Sequence, residues 1–180
     1  YQDIQNAHAT WRFMRESFSF STIDGQQEYT PAQAGVINMG AWITDTISLY
    51  SSVSDESFID YVAWNFFKSN YWVGSHRTTE SRPTVVTVTP GNSLALWQIP
   101  DAVYTCRGEY SKTAVSMTVN TDTQIIPIRF QLAIVWKALM YYGAYAAADE
   151  KYAHGKNEFH RLMRQLELDQ LDKFTYGAPL

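Results

Sequence analysis

The stretch IPIRFQLAIVWKALMYYGAYAAADEKYAHGKNEFHRLMRQLELDQL, Ile126 to Leu171, decides how the rest of the chain is read. Pro127 opens it, and Phe130, Ile134, Ala138, Met140, Tyr141, Ala144, Tyr145, Ala148, Tyr152, Phe159, Leu162, Met163 and Leu166 recur at helical spacing. At ~1.5 Å per residue such a helix would run roughly 65 Å. A compact chain of 180 residues has a radius of gyration of only about 16 Å. The rod must therefore break, or leave the globule and pack on something else. Gly143 and Gly155, each costing about 1 kcal/mol relative to Ala in a helix interior, are the expected breaking points. Two helical segments with small residues between them are the expectation over 128–171.

Outward from that rod, composition narrows the choices. With 46% hydrophobic residues, 180 residues can bury the core of one domain, so a single domain over 1–180 is expected. Aromatic content of 15% supplies large contact areas to cores and interfaces alike. A net charge of −4 and the absence of a basic run exclude the electrostatic footprint of a protein that grips nucleic acid by its phosphates. The lone Cys106 forbids an intramolecular disulfide and a Cys-rich zinc site. Gln131 and Lys137 interrupt the most apolar run, and no segment approaches the ~20 apolar residues a bilayer needs. The sequence starts at Tyr1 already in helical rhythm, and a further N-terminal piece is expected before it.

Ile4, Ala7, His8, Trp11, Met14 and Arg15 keep helical spacing, predicting a helix over about 2–16. Phe18, Phe20 and Thr22 then alternate, Asp24-Gly25 turns the chain, and Gln26–Tyr29 returns as the second strand of a hairpin. Ile43–Tyr50 reads as a further strand, and Ser54 as the N-cap of a helix over 55–69 whose first turn carries Asp55 and Glu56. Ser69–Ser81 reads as an exposed connection closed by Pro83. Thr84–Thr89, Pro90-Gly91-Asn92 and Leu94–Ile99 form a second hairpin, and a third strand after Asp101 completes a meander. In that strand Tyr104, Cys106 and Tyr110 share one face, while Thr105, Arg107 and Glu109 face water or a partner. The class is α+β: a helical bundle with a long C-terminal helix and a small, mainly antiparallel sheet, strands lying within 18–50 and 84–112.

Catalytic, cofactor and metal constellations are not visible. His154 and Glu158 are four apart on one helix face, but His160 lies about 240° around the helix from His154. A solvated helix face explains these residues better than a metal site. Cys106 has no activating motif and reads as a small buried hydrophobe. There is no Gly-rich phosphate loop, no nucleophile elbow and no His-Glu-x-x-His. Arg161 and Arg164 read as partners of Glu158 or Glu167 on the helix surface, with phosphate contact the alternative.

An ordered set of local patterns remains: Ile4-Gln5-Asn6-Ala7-His8 with Trp11-Arg12-Phe13-Met14, the Phe18–Gln27 segment ending at Tyr29-Thr30-Pro31, Ser81-Arg82-Pro83, Ile99–Tyr104, and Ile126–Phe130 leading to Ala138–Gly143. In this order the chain resembles bacteriophage head-to-tail adaptor (connector) proteins, departing from their pattern at Ser81, Ile128 and Gln131. The resemblance implies a homo-oligomeric ring, dodecameric, beneath the portal in the virion neck and assembled in the host cytoplasm. It implies contacts with portal and tail proteins and a lumen through which DNA passes without specific binding. A tail terminator or tube protein is the alternative, and a small hydrolase or nuclease the enzyme alternative. A ring needs two complementary surfaces on each subunit. Gly143, Ala144, Ala147 and Ala148 permit close approach of another helix, in the same chain or in a neighbour, and Phe174, Tyr176 and Leu180 mark a docking peptide over 172–180.

Overall fold

The computed structural model describes residues 1–119 and 121–172. The fold is α+β, with two mainly antiparallel four-stranded sheets and a long C-terminal helix. It divides into two compact units: Arg15–Thr113 forms one, and Tyr1–Met14 together with the chain from Ala114 onward forms the other.

The Arg15–Thr113 unit is a sandwich. Its first sheet has the order β1 (Arg15–Ser21), β8 (Thr105–Lys112), β3 (Met39–Tyr50), β4 (Ser57–Phe58); its second has β2 (Glu28–Tyr29), β7 (Leu94–Trp97), β6 (Val85–Val88), β5 (Asp60–Tyr61). The pairings between these strands are antiparallel except β5 with β6, and an isolated parallel bridge joins Glu80 to Ile99. Period-two alternation places Phe18, Ile47, Leu49, Cys106 and Tyr110 of the first sheet and Tyr29, Val86, Leu94 and Leu96 of the second in one core. The outer face of the second sheet is covered too, since α2 (Trp64–Asn70) seats Phe67 on Val85 and Ala95. This double burial is why Val85 and Val86, adjacent in sequence and on opposite faces, are both buried. The outer face of the first sheet stays open, with Ser17, Ser19 and Arg107 exposed on it.

Two strand pairings differ from the sequence expectation. The chain does turn at Asp24-Gly25, where Gly25 has φ +76°, but β1 and β2 belong to different sheets, β1 pairing with β8 and β2 with β7. The Tyr29 hydroxyl holds this corner by accepting the Ile23 N–H at 2.9 Å and donating to the Gln26 carbonyl at 2.8 Å. The β6–β7 hairpin forms as expected around Asn92, φ +62°. The next strand, β8, crosses to the first sheet instead of extending a meander. No helix spans 55–69: Asp55 closes a capping box on Ser52, Phe58 and Ile59 alternate outward and inward, and the helix begins only at Trp64. Ser69–Ser81 is more than an exposed connection, because Tyr71 and Trp72 pack with Phe67 and the Trp97 indole donates to the His76 carbonyl at 2.9 Å.

Arg82 ties several of these pieces together. Its guanidinium donates to the Asp55 carboxylate at 2.9 Å, to the carbonyls of Leu49 at 2.8 Å and Asp55 at 2.7 Å, and to the Ser57 hydroxyl at 3.1 Å. It also lies over the Tyr104 ring. Asp55 accepts from the Ser51 hydroxyl and the Ser52 amide as well as from Arg82, and these bonds hold its carboxyl down at about 2.

In the other unit, helix α1 covers only Gln2–Gln5, followed by a single 3-10 turn at Arg12–Met14, where a helix over 2–16 was expected. The indole of Trp11 donates to the Ile4 carbonyl at 3.0 Å, taking the acceptor that a continuing helix would have used. The buried Gln5 side chain pairs with both main-chain groups of Val115 at 3.0 Å. Ile4, Trp11, Met14, Ile126, Phe130, Leu162, Met163 and Leu166 share this unit's core.

Candidate interaction surface

The quoted stretch folds as α3 (Leu132–Tyr145) and α4 (Asp149–Gln170), preceded by a 3-10 turn at Ile128–Phe130. The break falls at Ala146-Ala147-Ala148, with Ala147 in the left-handed region at φ +49°, and not at Gly143 or Gly155. The helices form an antiparallel hairpin in which both glycines lie at the contact. A Cβ on Gly143 would stand 2.6 Å from the Tyr152 nitrogen, and one on Gly155 would stand 3.1 Å from the Met140 nitrogen and the Trp136 carbonyl oxygen. Glycine is used here for close backbone approach, not for a bend.

This places the residues singled out in the sequence. Gly143 is buried against its own chain, Ala144 and Ala147 are exposed, and Ala148 is half-buried beside the turn. Phe174, Tyr176 and Leu180 lie outside the described residues. His154 packs edge-on against Trp136, and Glu158 pairs with Arg161 at 2.8 Å. Among the described residues no three His, Cys, Asp or Glu side chains converge as metal ligands. Burial pushes the Cys106 thiol up to about 12. A thiol held neutral in this way is a poor nucleophile.

Sequence reasoning underweighted the outer face of α3. Along its 14 residues only Lys137 is charged. Leu132, Val135, Tyr141, Tyr142 and Tyr145 are exposed, Tyr145 by 92%, and Ile128 just before the helix by 86%. At 100° per residue the α3 positions cover an arc of about 180°. With ~200 Å² per aromatic side chain, the exposed fractions of Tyr141 (59%), Tyr142 (54%) and Tyr145 (92%) come to about 400 Å². The aliphatic residues enlarge a face already comparable to the largest apolar patch of a typical monomer, about 300–600 Å². The signal for it was present: a helix apolar around its whole circumference is buried on more than one side.

The rim of this face is polar. Tyr141 donates to the Asp3 carboxylate, Lys137 lies over the Tyr141 ring, and Lys151 lies over Tyr142. At the far end of the unit, Asp169 accepts from Arg12 and Arg129, with Arg129 first among the causes that lower its carboxyl below the ordinary value. Among the described residues no helix is long and apolar enough to cross a membrane.

This arrangement offers exposed apolar area on α3. No curated protein matches the chain. Among protein families, the one described as SU10 adaptor protein matches residues 2–180, and the chain belongs to that family of phage structural adaptors.

Proposed function

We propose that the chain is a head-to-tail adaptor that assembles as a homo-oligomeric ring, a dodecamer, under the phage portal, extending the DNA channel and forming the platform for tail attachment. The observation that carries this reading is the apolar outer face of α3, which a chain working alone would leave in water at a cost of roughly 25 cal/mol per Å². A neighbouring subunit covers that face, with Ala144, Ala147 and Ala148 at the turn among the contacts and Gly143 supporting the hairpin from within. The segment 172–180, with Phe174, Tyr176 and Leu180, docks on the portal. A net charge of −4 suits a lumen that passes DNA without specific binding, because few phosphates are neutralised in transit. The ring belongs to the virion neck and is assembled in the host cytoplasm.

Mixing the chain with its portal and reading stoichiometry by native mass spectrometry and negative-stain images tests this directly. The expected outcome is a closed ring seated on the portal. A chain that stays monomeric and ignores the portal overturns the proposal, and one that joins only tail proteins assigns it to the tail tube or terminator.

A further inference from the structure

Three of the four sheet edges are short. β2, β4 and β5 are two residues each, the shortness by which folded proteins keep edges from pairing with other chains. The fourth edge, β1, runs seven residues in unbroken register with β8 and contains no proline. The Thr22 N–H donates to the Tyr104 carbonyl at 2.8 Å. By the alternation of an antiparallel ladder, Glu16, Phe18 and Phe20 therefore bond toward β8, and the main-chain groups of Ser17, Ser19 and Ser21 point away from the sheet. These serines are exposed, and among the described residues their outward main-chain groups have no partner.

Side chains sort along the same strand. Phe18 and Phe20 stack on the core side, ring centroids 6.1 Å apart. Ser17 and Ser19 lie on the open face, beside a cleft of about 750 Å³ that also includes Asp45, Arg107 and Glu109. Arg107 is engaged by Glu56 at 2.7 Å. Among the described residues the carboxylates of Asp45 and Glu109 have no cationic partner, so the cleft carries uncompensated negative charge.

The geometry points to the β1 edge as a docking site for an extended segment of a partner protein, which adds as a fifth strand outside β1. Its apolar residues lie alongside Phe18 and Phe20, and its alternate, basic residues reach toward Asp45 and Glu109. A second copy of this chain fits less well. Its free edge of matching length is β1 itself, and β1-to-β1 pairing is two-fold, which closes a dimer and does not propagate head-to-tail. The inference rests on the adaptor reading only in that it requires a partner in the assembled neck.

Hydrogen exchange on the free chain and on neck complexes isolated from particles reads the edge directly. In the free chain the Ser17, Ser19 and Ser21 amides exchange fast while those of Phe18 and Phe20 are protected; in the neck the serine amides slow at least tenfold. Serine amides that exchange equally fast in both states overturn the inference, and so does protection acquired on self-association alone. Ser19→Pro removes an outward N–H and no bond of the β1–β8 ladder. This variant keeps its melting temperature and its ring on the portal but retains the strand-donating partner at least tenfold less well, as does Asp45→Lys combined with Glu109→Lys. If Ser19→Pro necks hold every partner at the wild-type level, the docking site is wrong and the ring stands. If no ring forms on the portal, the adaptor reading falls whatever the β1 amides do.

Discussion

Ala147 sits at φ +49° with a Cβ, where a left-handed backbone costs an L-residue roughly 1–2 kcal/mol. Ala147→Gly relieves that strain, partly offset by a more flexible unfolded chain, and should raise stability by about 0.5–1 kcal/mol in urea unfolding. Asp55 makes a pH prediction. Its carboxyl is lowered from 3.8 to about 2 by the Ser51 hydroxyl, the Ser52 amide and Arg82. A depressed folded-state value means that the contribution is complete above 3.8 and is lost as pH falls from there through about 2. Asp55→Asn should therefore flatten the melting temperature over that acid window, whereas an unchanged slope would assign the acid sensitivity to other carboxylates. Cys106, buried and raised to about 12, should resist thiol reagents in the native chain and react once it is unfolded.

At the scale of elements, the hairpin of α3 and α4 depends on two glycines that local reasoning takes for breaks. Gly143→Ala forces a methyl to 2.6 Å from the Tyr152 nitrogen and 2.9 Å from its Cα, both backbone atoms that move only with the helix. The expected loss is about 1–3 kcal/mol, read as a lower urea midpoint. Arg82 has the same standing in the sandwich, because four acceptors from three segments converge on one planar fork. Arg82→Lys should not restore them, and a loss of about 2–3 kcal/mol in thermal unfolding is expected. The Asp24-Gly25 turn could be read from its residues, because a positive φ is a local demand. Which strand would lie beside β1 could not, since its partner β8 begins more than eighty residues later.

For the whole molecule, the proposed assembly turns on the apolar face of α3. Val135→Glu with Tyr142→Glu replaces two exposed residues and touches no buried core position, so the chain should fold normally yet lose its self-association in native mass spectra. A ring at wild-type stoichiometry would move the subunit interface elsewhere. The helical rhythm of Ile126–Leu171 and the strand alternation around Val86 and Cys106 come from nearest-neighbour chemistry, which is why the class and an interrupted rod could be read from the residues, whereas the adaptor role came from resemblance to a family. The sequence put the break at Gly143 or Gly155, whereas it falls at Ala146-Ala147-Ala148, and the residues could not tell Gly143, spent on Tyr152, from Tyr145, left in water. Folding settled that distinction, together with the crossing of β8 into the first sheet and the early end of α1, because each depends on which distant segment competes for the same buried area and the same backbone hydrogen bonds.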